Sequence, residues 1–174
     1  MEAQIRGWRS ARFQGQPGRM QPRLDLLTVA VNDLDAERRF YLDGLGWTAA
    51  LDVPGEVLFL QLNHGLLVAL FGADDLAVDM GADRGSVRVG EGFALAHNVG
   101  SAQEVRDVLA SALAAGATVV KPAQDAAFGG YHAYFADPDG VRWEVAWNPG
   151  LQVLPDGQVR IGLVEQPDAP HEHD

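Results

Sequence analysis

Residues 116–147 read GATVVKPAQDAAFGGYHAYFADPDGVRWEVAW. The tetrapeptide Asp137-Pro138-Asp139-Gly140 is a turn: proline suits its first bend and glycine its left-handed position. The runs on either side, about 130–136 and 141–147, are rich in aromatic and β-branched residues and read as the two arms of a hairpin. A third strand is expected at about 117–121. The way the turn closes decides which side chains share a face. A plain four-residue loop would set Phe135 beside Glu144. A bulge at Gly140 shifts the register by one. Phe135 then joins Trp143, Val145 and Trp147 on one face, while His132, Tyr134, Arg142 and Glu144 share the other. The bulged register is expected, because it gathers the large apolar groups on one side.

Upstream, residues 93–99 (FALAHNV) read as a strand and residues 101–116 as a helix. Ser101 and Glu104 form a capping box. Val105, Val108, Leu109, Ala112 and Leu113 fall on one helical face, and Gly116 closes the end. The same order occurs about 70 residues earlier. A strand at 24–31 (LDLLTVAV) leads to a helix capped by Asn32 or Asp33 and ended by Gly46. Strands follow at about 47–53, 56–62 and 66–72, the last two joined by Asn63-His64-Gly65. Val31 corresponds to Val99, Gly46 to Gly116 and Gly65 to Gly140. The chain therefore contains a βαβββ unit twice, at 24–72 and 92–149. It is an α+β fold in which the paired units build a curved mixed sheet around a cup, with the helices outside. Residues 73–91 are acidic and glycine-bearing and read as a linker. Residues 150–174 form a tail with a small hairpin (LQVLPDGQVRIGL) and a solvated end carrying His171 and His173. Residues 1–22 read as a flexible extension, either a tail or sequence upstream of a start at Met20.

Composition narrows the function. The 174 residues carry 13 Lys and Arg against 24 Asp and Glu, a net charge of −11. Nucleic acid is not an expected partner, since duplex binding needs cations facing phosphates. The excess acid lies in the body, because residues 1–23 hold five Arg and one acid. With no cysteine, disulfides, thiolate metal sites and a Cys nucleophile are excluded. No run approaches the roughly 20 apolar residues of a membrane span. A cytoplasmic protein without a membrane partner is expected.

The stretches VAVNDLDAERRFYLDGLGW (29–47) and GATVVKPAQDAAFGGYHAYFADPDGVRWEVAW (116–147), with the helix between them, resemble the vicinal-oxygen-chelate superfamily. Its members include glyoxalases, bleomycin-resistance proteins, fosfomycin-resistance enzymes and extradiol dioxygenases. The resemblance covers about residues 24–149 and is more specific for fold than for activity. It implies a homodimer, with cups completed either within one chain or across two. It also implies a divalent metal in the cup, with His or Glu ligands on the first and last strands of each unit. Those positions are Leu26, Ala69, Ala94 and Glu144 in this sequence. Three are apolar, and one carboxylate is too few ligands for a tight site. No cofactor is expected; a weak divalent metal held by Glu144 and His132 is a variant of the enzyme reading given below.

The expected cup is mostly apolar. Leu26, Thr28, Phe59, Leu67, Ala69, Phe71, Ala94 and Ala96 line it, with Arg142 at the rim and Glu144, His132 and Tyr134 as its polar cluster. Such a site suits a small apolar or aromatic organic ligand. Glu144 beside His132 is either a structural pair or a proton-transfer pair serving a lyase, isomerase or dioxygenase. A third reading is an interaction module with a vestigial cup. His97 is expected as a satisfied core histidine and His64 as a turn residue.

Overall fold

The computed structural model describes residues 24–63, 65–162 and 164. The leader, His64, His171 and His173 lie outside the described residues. The first unit runs β1 (Leu26–Val31), α1 (Leu34–Arg38, continuing as a wider π-type turn over Arg39–Gly44), β2 (Ala49–Val53), β3 (Val57–Asn63) and β4 (Leu66–Gly72). A short helix α2 (Ala73–Asp79) follows. The second unit runs β5 (Leu95–Asn98), α3 (Ala102–Ala115), β6 (Thr118–Asp125), β7 (Tyr131–Ala136) and β8 (Arg142–Trp147). A terminal hairpin pairs β9 (Leu151–Val153) with β10 (Val159–Ile161).

The two sheets have the same order, β1-β4-β3-β2 and β5-β8-β7-β6. In each, the first strand pairs parallel with the last and the remaining pairs are antiparallel. The internal repeat is therefore a repeat of topology. The caps are as the sequence predicts. Asp33 accepts from the Ala36 amide at 2.8 Å, and Ser101 accepts from the Glu104 amide at 3.2 Å. Glu104 reaches back to the Gly100 amide at 3.1 Å.

Each helix covers one face of its own sheet, the face bearing Val29, Val31, Leu58, Leu60, Val68 and Leu70 in the first unit and Ala133, Phe135, Trp143 and Val145 in the second. The two helix-bearing faces also meet each other in one core. Phe40 and Tyr41 of α1 pack near Phe135 and Trp143, and Gly44 lies so close to Ala115 of α3 that a methyl group there would collide with it. The wide turn in α1, closed by Leu45 N–H donating to the Phe40 carbonyl at 2.9 Å, buries the neighbouring Phe40 and Tyr41 together.

Three local expectations are corrected. The segment read as a linker contains α2, whose Leu76 and Ala77 are buried. Its acidic composition hides these two apolar groups, although Asp74 and Asp75 sit in its first turn, where the helix dipole favours them. Leu113 is 39% exposed and lies outside the core stripe of α3. β5 begins at Leu95, so Phe93 and Ala94 are exposed residues ahead of the strand.

The segment after α2 returns to the core at Val89 and Gly90. Gly90 has φ of 69°, and a Cβ there would strike the Gly140 carbonyl. Gly92, at φ of 82°, faces open space. Gly90→Ala is expected to cost about 2 kcal/mol or more, and Gly92→Ala about 1 kcal/mol for the left-handed backbone alone. Urea denaturation of both variants measures the difference. Equal losses would mean that the Gly90–Gly140 approach does not constrain the fold.

Candidate functional site

The bulged hairpin sets the chemistry of the second sheet. Asp137 N–H donates to the Val141 carbonyl at 3.0 Å, and Gly140, at φ of 99°, donates to the Asp137 carbonyl at 3.1 Å. Phe135 then stands opposite Trp143, Tyr134 opposite Glu144, and His132 opposite Ala146. Ala96 of β5 stands opposite Glu144, and Lys121 of β6 opposite Tyr134. His132, Tyr134, Glu144, Ala96 and Lys121 thus share the face that carries no helix. Arg142 lies two residues from Glu144 on the same face and is exposed.

The polar residues form a chain of contacts. His132 Nδ1 lies 2.8 Å from Glu144 Oε1, and its Nε2 lies 2.9 Å from Lys121 Nζ. An ammonium group has donors and no lone pair. Lys121 therefore donates to Nε2, which places the ring proton on Nδ1, where it donates to Glu144. His132 is nearly buried at 8% exposure, and both ring nitrogens are satisfied. Phe128 and Tyr134 contact the imidazole edge-on, with centroids 5.7 and 5.6 Å away. Burial, followed by the neighbouring Glu144 carboxylate, pushes the Tyr134 phenol above its usual range.

Lys121 is the residue that sequence reasoning missed. The expected strand ended at it. β6 instead continues past Pro122 to Asp125, with register shifts on both sides of Lys121. Simple alternation across those irregularities could not have placed it. One compositional signal was available, since Lys121 is the only lysine in a chain with twelve arginines.

The predicted apolar residues gather on the other sheet. Leu26 stands opposite Leu67, Thr28 opposite Ala69, and Ala69 opposite Phe59, with Phe71 two residues further along β4. All six share the face opposite α1. Leu26 is 40% exposed and Ala69 is buried. The structure therefore assembles both halves of the predicted lining, each on its own sheet. It does not bring the two halves together in one chain, because the sheets meet through their helix-bearing faces and their open faces turn apart. Ala94 joins neither half, lying before β5.

His97 corrects an expectation. It lies on the helix-bearing side, but on an edge strand, and is exposed. It borders an apolar groove of about 210 Å³ with Leu45, Trp47, Val108 and Trp143. A wider cleft of about 680 Å³ lies elsewhere, between the start of α1 and α2, and is lined by Asp33, Asp35, Glu56, Asp74, Asp75 and Arg84.

The donor set on the second sheet does not fit a divalent ion. It offers one carboxylate already bonded to an imidazole, and that imidazole's other nitrogen faces an ammonium. Leu26 and Ala69 supply no lone pair. Among the described residues no three His, Cys, Asp or Glu side chains stand close enough to share an ion.

Paired βαβββ units with open, curved outer faces define the fold class. The Glyoxalase/Bleomycin resistance protein/Dioxygenase superfamily model matches residues 23–145, and the chain belongs to that superfamily. A glyoxalase-related enzyme from Fulvimarina pelagi is 34% identical, superposes with a TM-score of 0.71, and is matched over 81% of this chain and 99% of its own. A family member from Nocardioides is 25% identical, with a TM-score of 0.62 over 76% of this chain and 87% of its own. The lactoylglutathione lyase from Agrobacterium tumefaciens, at 22% identity and a TM-score of 0.56 over 74% and 96%, shares the fold. A search of curated proteins found no match. No described helix is long and apolar enough to cross a membrane.

Proposed function

We propose that this chain binds a small apolar or aromatic organic ligand in a metal-poor cup, as a cytoplasmic homodimer. The observation that carries the reading is the apolar face of the first sheet opposite α1, where Leu26, Phe59, Leu67 and Phe71 lie exposed or half-exposed. The polar half-face of the second sheet is its complement. The two faces turn apart within one chain, so a second copy in a two-fold arrangement brings the apolar face of each protomer against the polar face of the other. Two equivalent cups result.

Sedimentation equilibrium and ligand-dependent melting of chelator-treated protein test this. A dimer whose melting temperature rises with small aromatic compounds is the expected result. At 100 times Kd a ligand adds about 2.7 kcal/mol of stability, readily seen as a shift. Ni, Zn, Mn, Fe(II) and Mg are tested in parallel. A metal-induced shift that vanishes in Glu144→Ala would overturn the metal-poor reading.

The short His132–Glu144 contact supports a second reading, an enzyme that moves a proton through this pair. It could act as a lyase, isomerase or dioxygenase, with Tyr134 polarising the substrate. Such an enzyme would lose turnover in Glu144→Gln, whereas a binding protein would keep its ligand affinity within a few-fold.

A further inference from the structure

We infer that the ligand of the cup carries an anionic oxygen, of the carboxylate class, held by the Lys121 ammonium at the polar end of an otherwise apolar site. The inference rests on the binding reading above and specifies its ligand.

Three observations carry it. The first is how Lys121 is held. Its Nζ is fixed 2.9 Å from His132 Nε2, which uses one of three N–H donors. A lysine normally loses rotamer freedom when it grips a ligand. Here His132 has already imposed much of that order, and two donors remain for a ligand. The second is how the charge is placed. Lys121 does not contact the carboxylate directly, and the imidazole stands between them with Glu144 on its far nitrogen. A direct Lys–Glu pair would spend the positive charge inside the protein. A neutral ring in between orients the ammonium and leaves its charge available. The third is the balance of the face. Its strand positions carry Lys121 and Arg142 against Glu144 alone, a positive excess of one in a chain of net charge −11. Arg142 sits two residues from Glu144 on β8 and is exposed, so it reinforces the cationic end. The negative charge of Glu144 is directed at the ring proton of His132, with the Tyr134 phenol beside it.

The apolar remainder fixes the other half of the ligand. Phe128 stands edge-on to His132, and it is 36% exposed beside the cluster. With the apolar face of a second protomer opposite, the site fits an aromatic or alicyclic body with one acidic head.

Matched acid and amide pairs test this: benzoate with benzamide, cinnamate with cinnamamide, and 2-naphthoate with 2-naphthamide. Each is titrated by calorimetry into the intact dimer at low salt. The expected result is at least tenfold tighter binding of the acid in the pairs that bind, with the preference lost in Lys121→Met and reduced in Arg142→Gln. Melting of the free variants shows whether they remain folded, and the wild-type ratio decides even if they do not. Equal binding of acid and amide by the wild type would overturn the inference and leave the binding reading standing. Binding of neither member of any pair would overturn both. An acid preference that survives in a folded Lys121→Met would assign the anion elsewhere and reduce Lys121 to a partner that satisfies His132.

Discussion

Trp143→Ala is expected to destabilise the chain by about 3–5 kcal/mol, the range for removing a large buried aromatic. Trp143 is only 7% exposed, although it stands beside the Trp47–His97 groove. It stacks on Phe135 with an interplanar angle of 10° and meets Trp47 edge-on at 5.7 Å. Its Nε1 donates to the Tyr41 hydroxyl at 2.8 Å. Tyr41 belongs to the first unit and Trp143 to the second, so the substitution empties the junction between them. Trp143→Phe keeps most of the area and removes the indole N–H, for an expected loss of about 1–2 kcal/mol. Guanidinium denaturation monitored by far-UV circular dichroism measures both. A loss near 1 kcal/mol in Trp143→Ala would show that the units are held together elsewhere. A broadened or two-step transition is the alternative signature of units that have become independent.

That junction explains why the fold was legible in the sequence and parts of the site were not. The aspartate–proline–aspartate–glycine turn has few ways to close, and only one of them buries Phe135 with Trp143. One local motif therefore fixed the register of β7 and β8 and placed His132, Tyr134 and Glu144 on a common face. The capping box at Ser101 and the cap at Asp33 marked helix starts through local hydrogen bonds that do not depend on the rest of the chain. Lys121 was hidden for the opposite reason. Two irregularities in β6 break the alternation from which a face is read, and Pro122 makes the strand look finished. Proline is tolerated there because β6 is an edge strand, where a missing N–H need not break a ladder. The sequence reading sets the helices outside a shared cup, whereas the helix-bearing faces meet in one core. The pattern does not separate the two, since either a shared cup or a shared helix layer buries one face of each sheet. Glu37 is buried although it lies in a charged run, Asp35 to Arg39, with no local signal of burial. Only its partners from the other unit, more than 90 residues away, reveal its burial.

Glu37→Gln is expected to stabilise the chain at pH 8 by about 2–4 kcal/mol and to change it little at pH 5. Glu37 is fully buried, and its Oε1 accepts from the Asp139 amide at 2.9 Å. Its Oε2 has no hydrogen-bond partner when ionised. Burial, and then the Asp137 carboxylate beside it, push its pKa up to about 9. Asp137 is also raised by burial. It is nevertheless the better anion of the pair, accepting from Tyr41 Oη at 2.8 Å and from the Gly140 and Val141 amides at 3.0 and 2.8 Å. The proton therefore resides on Glu37. The folded chain keeps it at pH values where the unfolded chain, with a glutamate near 4.3, has released it. Stability is fully present below about pH 4.3 and falls as pH rises toward 9, by up to about 1.4 kcal/mol per pH unit. Glutamine reproduces the protonated form. Its amide can donate toward Asp137 while its oxygen accepts from Asp139, and it has no proton to lose. The difference in unfolding free energy between Glu37→Gln and wild type should grow from pH 5 to pH 9. Glu37→Ala should lose stability at pH 5, where it leaves a cavity and an unpaired Asp139 amide, and the loss should shrink toward pH 9, because alanine has no buried carboxyl to ionise. A wild-type curve parallel to that of Glu37→Gln across this window would mean that Glu37 is ionised in the folded chain.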